Sequence, residues 1–279
     1  MLHGYNPPHR FLPYLSWTEI ADLPDKANTV IVLPTGATEQ HGPHLPLSVD
    51  ADIARGVIDA ALPHLPADLP VLFLPPQVVG FSPEHTAFAG TLTLKADTLM
   101  RLWTELAESV AAAGVTRLVL FNTHGGQVGL LDPVARDLRA RLGMLAFSVN
   151  WFGLPLFDEQ GQDVQARFSS QEQRFGIHAG EIETSLMLAL RPELVRMEHA
   201  ADFRSTSQDR AAGFEILGNG RSARFAWQTQ DLNPSGAVGN AAAATRENGE
   251  AVLQAAGRAL AQLLVEIDRL PADTLRGAP

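Results

Sequence analysis

Residues 29–50 read TVIVLPTGATEQHGPHLPLSVD. Residues 29–34 (TVIVLP) are β-branched and continuously apolar, as a strand buried on both faces requires. Such a strand belongs to a parallel sheet covered by helices on both sides. In open α/β sheets ligands bind beyond the carboxyl ends of the strands. Here that end leads straight into Glu39, His41 and Asp50, three candidate ligands in twelve residues. Glu-x-His puts two side chains on the same side of an extended backbone, about 7 Å apart along it. That spacing suits two neighbouring metal ions better than one. Asp50 has two carboxylate oxygens and is a natural bridge between them. A solvated polar loop would also hold Glu and His, so the rest of the chain must decide.

Working outward, further apolar runs occur at 71–74 (VLFL), 117–121 (RLVLF) and 144–149 (MLAFSV). Helical periodicity separates them. Leu99, Leu102, Trp103, Leu106 and Val110 share one face. Leu131, Val134, Leu138 and Leu142 share another, and Leu253, Ala256, Leu260, Leu263, Leu264 and Ile267 a third. Strands alternating with helices predict an α/β fold, a three-layer αβα sandwich with a mainly parallel central sheet. No linker, repeat or low-complexity run divides the chain, so residues 1–279 read as a single domain. Residues 204–240, rich in Gly, Ser, Arg and Asn, read as a long excursion with a short strand at 224–228. That excursion, with Trp151, Phe152 and Trp227, is a natural source of pocket walls.

Composition narrows the function. The 279 residues are 46% hydrophobic and 19% charged, enough apolar side chain for a sizeable core. Lys plus Arg number 21 against 31 Asp plus Glu, a formal net charge of −10. That speaks against a general nucleic-acid binder and against docking on an anionic membrane. With no cysteine, disulfides, iron–sulfur clusters, thiolate zinc sites and a cysteine nucleophile are excluded. No apolar stretch is long enough to span a bilayer. The N-terminus lacks the layout of a secretory signal, and the simplest placement is the cytoplasm. Residues 270–279 read as a short frayed tail.

Metal or acid/base chemistry therefore falls to carboxylates and nine histidines. His124 directly follows the 117–121 run, and two glycines after it allow a close backbone approach. His178 precedes Glu181 and Glu183 at the head of a short apolar helix stopped by Pro192. Both glutamates also suit the dipole of a helix N-terminus. Glu84-His85, in the segment GFSPEHTAFAGT, reads as a supporting or substrate-facing pair. His3, His9, His64 and His199 have no such setting and read as surface or structural residues.

On these segments the sequence resembles the creatininase (creatinine amidohydrolase-like) family. The parts are LPTGATEQHGPHLPLSVD at 33–50, GFSPEHTAFAGTLTL at 80–94, FNTHGGQ at 121–127, HAGEIETS at 178–185 and PSGAVGNAAAAT from 234 with Gly249. The resemblance implies a creatininase-like sandwich with a usually dinuclear metal centre. It also implies hydrolysis of non-peptide or cyclic amide (or formamide) C–N bonds and a homo-oligomer, commonly a hexamer. Carried over, Glu39 and His124 look to one metal and His41 to the other, with Asp50 bridging. Creatininases proper complete the second metal with a glutamate two positions after the strand-end histidine, and here that position is Gly126. The chain resembles instead a branch in which the glutamate of HAGE is the ligand, which assigns Glu181 and makes creatinine itself a less suitable substrate. That branch includes deformylases and peptide-trimming enzymes of cofactor pathways.

Two divalent ions (Zn, Mn or Fe) suit this imidazole and carboxylate set. Such ions bring a water's pKa from 15.7 down to about 7, so hydroxide is at hand to attack an amide of a small-molecule substrate. His178 is the expected proton carrier to the leaving amine, with Glu183 or His85 as second candidates. The competing readings are a one-metal hydrolase using Glu39, Asp50 and His124, and a metal-dependent binding protein without turnover.

Overall fold

The computed structural model describes residues 8–276; the expectations placed on His3 and on residues 277–279 lie outside them. Four parallel strands, β1 (Val30–Thr35), β2 (Val71–Phe73), β3 (Arg117–Asn122) and β4 (Leu145–Asn150), form the central sheet in the order β2-β1-β3-β4. Each predicted apolar run holds one of them, within a residue of its expected bounds. A small antiparallel ladder joins β5 (Asp202–Phe203) and β6 (Gly239–Asn240). The helices are α1 (Trp17–Ala21), α2 (Val49–Ala61), α3 (Ala96–Ala112), α4 (Val128–Leu142), α5 (Ser170–Phe175), α6 (Glu181–Leu190), α7 (Ser207–Gly213), α8 (Thr229–Leu232) and α9 (Arg246–Asp268).

Side-chain alternation divides the strands between two cores. Val30, Val32, Val71, Phe73, Val119 and Phe121 pack with α2, α6 and α9. Ile31, Leu33, Leu72, Leu118 and Leu120 pack with Leu99 and Trp103 of α3 and Leu131 and Leu138 of α4. The sandwich therefore has three layers, as predicted. Strand order explains the split. The chain leaves β1 to one side, for β2, then returns past β1 to β3 and on to β4. Right-handed crossovers in opposite directions put their helices on opposite faces. The reversal lies between β1 and β3, the switch point where such sheets open a crevice.

Two expectations need correction. Residues 224–228 form no strand. They are mostly exposed and pair with no neighbouring strand; Phe225, Ala226, Trp227 and Gln228 line a cavity instead. Residues 49–61, to which no helix was assigned, form α2. Its apolar residues Ile53, Ala54, Val57 and Ile58 are buried against the sheet. No helix among the described residues is long and apolar enough to cross a membrane.

Candidate metal centre

The carboxyl ends of β1 and β3 are tied together before any functional side chain leaves them. Asn122 and Thr35 are register partners. The Asn122 amide donates to the His124 carbonyl (2.7 Å) and to Asn150 Oδ1 (2.8 Å), while its own oxygen accepts from Gln127 Nε2 (2.8 Å). The Thr123 hydroxyl donates to the Asp50 carbonyl at 2.8 Å, linking the end of β3 to the first turn of α2. These bonds hold the Glu39–His41 loop, Asp50 and His124 around one point.

Three histidines there follow one rule. His41 Nδ1–H donates to the Glu39 carbonyl at 3.0 Å, which leaves Nε2 to face Asp50 Oδ1 and Glu183 Oε2, each at 3.9 Å. His124 Nε2–H donates to the Phe81 carbonyl at 2.9 Å; Nδ1 lies 3.2 Å from Glu39 Oε1 and 3.5 Å from Asp50 Oδ2. His178 Nε2–H donates to the Gln40 carbonyl at 2.8 Å, with Nδ1 3.9 Å from Glu39 Oε1. Each ring spends one nitrogen on a backbone carbonyl and turns the other, lone pair exposed, toward carboxylates. That is how metal-binding imidazoles are oriented.

Ligand-type atoms gather in three overlapping groups: Glu39, Asp50 and His124; His41, Asp50 and Glu183; and Glu39, His41 and His178. Glu39, His41 and Asp50 each belong to two of them, so the groups interlock through these three side chains. Glu39 Oε2, His41 Nε2 and Asp50 Oδ2 are buried and have no hydrogen-bond partner. A buried polar atom without a partner costs about 1–3 kcal/mol, and three sharing one spot need a common explanation. Divalent cations satisfy all three, so the donor set fits the metal centre that the sequence suggests.

The charges agree. Burial drives His41 down to about 4, against the pull of Glu39, so its ring is neutral and free to ligate. Burial and then the neighbouring His41 and His85 hold His178 well below its usual value. Burial opposes charge on His124 as well, but Glu39, Asp50 and Glu84 overcome it and raise the ring to about 10. Burial and the charge of Glu39 hold Asp50 well above the usual carboxylate range. The pocket is thus crowded with negative charge and holds protons where cations would sit.

The structure does not bring Glu181 into the cluster. Glu181 opens α6, and its side chain joins none of the three groups. Its backbone N–H donates to Glu172 Oε1 at 2.7 Å. Glu183, two residues on, points to a different side of the helix and reaches back to accept from the Ala179 N–H at 2.6 Å. The same oxygen, Oε2, lies 3.9 Å from His41 Nε2. Burial raises the Glu183 carboxyl to about 7. Glu183, read from sequence as a proton carrier, is the glutamate of this helix that joins a ligand-capable group. The space beyond Gly126 is also filled: a side chain there would collide with the Glu84 carboxylate, whose Oε1 lies 3.6 Å from His124 Nε2.

His85 stands beside the ligands. Its Nε2 is 3.2 Å from Glu39 Oε1, and its Nδ1 meets Gln40 Nε2 at 2.7 Å and Thr229 Oγ1 at 2.8 Å. Sequence reading missed Gln40, buried between the two ligands that flank it; its amide also donates to the Gly236 carbonyl at 2.8 Å. It missed Glu172 too, whose buried carboxylate accepts from the Glu181 and Asn240 N–H groups and fastens α6 to β6. The clustering of Gly176, Gly180 and Gly239 around Glu172 was the available signal, visible only once the chain is folded. His44 is buried as well, with Nε2 2.9 Å from Thr184 Oγ1 and its ring stacked on Phe203. His9, His64 and His199 are exposed, as expected.

The centre opens into a cavity of about 480 Å³ bounded by Glu39, Asp50, His124, His178 and Glu183 on one side and Phe225 and Trp227 on the other. The model of the family described as creatinine amidohydrolase matches residues 13–264. The chain belongs to the creatininase family. Among its relatives is the mycofactocin precursor peptide peptidase of Mycobacterium ulcerans, 34% identical over 228 residues that cover 80% of this chain and 79% of that one. The creatinine amidohydrolase of Pseudomonas putida is 27% identical over 92% of this chain and 96% of its own. A crystal structure of creatinine amidohydrolase superposes with a TM-score of 0.73 at 27% identity, over 94% of this chain and 99% of that one. Creatininases of the same fold are known in zinc–zinc and manganese forms. This creatininase-family hydrolase thus carries its ligand-capable cluster at the switch point of the family's own sheet.

Proposed function

We propose that this chain is a metal-dependent amidohydrolase that cleaves the C–N bond of a non-peptide, cyclic or peptide-derived amide at a dinuclear centre. The observation that carries the reading is the set of interlocking groups around Asp50, with three buried ligand atoms that have no protein partner. Glu39, Asp50 and His124 would hold one ion, and His41, Asp50 and Glu183 the other. Bound divalent ions supply Lewis-acid polarisation of a carbonyl and hydroxide at neutral pH. Zinc and manganese are the first candidates, given the metals of the solved creatininases.

The protein's own groups do the rest. His41, His124 and His178 are oriented by backbone carbonyls, so little reorganisation remains when substrate arrives. His178 lines the cavity with an unprotonated Nδ1. It is placed to take a proton from the attacking nucleophile and return it to the departing amine, which must leave protonated. His85 and Gln40 steady Glu39 and His178.

The mycofactocin peptidase relative favours a peptide-derived amide over creatinine, and so does the cavity, most of which a single lactam ring would leave empty. The family resemblance adds an expected homo-oligomer, read by sedimentation. The decisive assay loads metal-free protein with zinc or manganese and offers it formamides, lactams and short peptides. Turnover that follows metal loading and disappears in Asp50→Asn supports the reading. Metal-independent turnover, or none with any amide class, contradicts it.

A further inference from the structure

A second cavity, of about 370 Å³, adjoins the metal-site cavity. The two share Gly125, Ile177 and Glu183 as lining residues, so they meet at the ligand cluster itself. A side chain at Gly125 would touch nothing within 4 Å, which shows that the passage beside it is open. The walls of the second lobe differ from those of the first. Trp151, Leu156, Phe168 and Val252 are buried there, with Ile182 half-buried and Phe152 exposed at the edge; Thr123, Gln165 and Gln173 line it too, and the Thr123 hydroxyl and Gln173 amide already donate to backbone carbonyls. Among the described lining residues neither lobe has a lysine or arginine, and the second has no charge except Glu183 at the shared border. An anionic group would find no counter-ion in it. A lobe with these walls is matched by hydrocarbon.

We propose that this lobe is a specificity pocket that takes a neutral, apolar side group attached next to the scissile amide carbonyl. The inference rests on the metal-centre reading and names the substrate class for it: amides flanked by an aliphatic or aromatic group, and not small, phosphorylated or carboxylated ones. Val252 enters from α9 and Phe168 from the segment before α5, so these two walls come from elements that carry no proposed ligand, while Ile182 and Glu183 of α6 form the border with the metal-site cavity.

Hydroxamates test it, because they bind metal centres and can carry a side group. Isothermal calorimetry on zinc-loaded protein would compare acetohydroxamate with phenylacetohydroxamate. The phenyl compound is expected to bind at least about tenfold more tightly, the gain from burying one ring. Val252→Phe, which fills the lobe, should erase that preference. Phe152→Ala, at a partly exposed wall where folding is not at stake, should reduce it several-fold. Both variants should keep wild-type metal content and acetohydroxamate affinity. Equal affinity of wild type for the two compounds overturns the inference and leaves the metal centre standing, as does a preference that survives both variants. Failure of both compounds to bind takes down the metal-centre reading and the inference with it.

Discussion

Glu181 and Glu183 are the same residue type, two positions apart on one helix turn, and only their directions separate them. Glu183 accepts from the Ala179 N–H and meets His41; Glu181 joins no ligand group. The contrast yields a clean pair of variants. Glu183→Gln should lower bound metal by about one equivalent per chain, measured by elemental analysis after dialysis. Glu181→Gln should retain the wild-type content. The sequence could not have made this choice, because both glutamates suit a helix N-terminus and side-chain direction there depends on where the helix begins. Glu39, His41 and His124 were legible as candidates because each closely follows a buried strand; Asp50 was legible only as part of the same loop, since the first turn of α2 sets its direction.

At the scale of elements, α9 approaches α6 and α2 closely enough that glycine is needed at two positions. A Cβ at Gly249 would strike the backbone carbonyl of Ser185 in α6, and one at Gly257 would meet the backbone of Ala60 in α2. Gly249→Ala should therefore cost about 1–3 kcal/mol, read as a lower denaturation midpoint. Because α6 carries Glu183, metal affinity should weaken too. In α2, Asp59 has a buried Oδ1 without a partner, and burial, against the pull of Arg55, raises its carboxyl to about 6. The folded state then holds the proton more tightly than the unfolded chain, whose Asp titrates near 3.9. Its ionisation works against folding, and stability falls as pH rises from about 4 to 6. Asp59→Asn should raise stability at pH 7 by about 1 kcal/mol, allowing for solvent screening, and flatten that part of the pH–stability curve. Strands β1 to β4 and helices α3, α4 and α9 were legible from apolar runs and 3.6-residue periodicity. Helix α2 was not, because its first turn coincides with the ligand loop and alanine and glycine interrupt the larger apolar residues of its buried face. The short apolar stretch at 224–228 misled because its aromatic side chains line a cavity and no neighbouring strand pairs with it.

The whole molecule is acidic, with a formal net charge of −10, and part of that charge is concentrated at one buried point. Glu39, Asp50, Glu84 and Glu183 all line the metal-site cavity, and no lysine or arginine lines it among the described residues. Bound cations would relieve this repulsion in the folded state only. Chelation should therefore lower the melting temperature, and restored metal at a hundred times its dissociation constant should return about 2.7 kcal/mol. In Asp50→Asn the melting temperature should hardly respond to chelator.

The central claim is that two ions share Asp50. Anomalous diffraction at the metal absorption edge, on crystals of the reconstituted protein, tests it most directly. Two peaks per chain are expected, one contacting Glu39, Asp50 and His124 and the other His41, Asp50 and Glu183. No peak at this cluster, or a second ion held by Glu181 instead of Glu183, would contradict it.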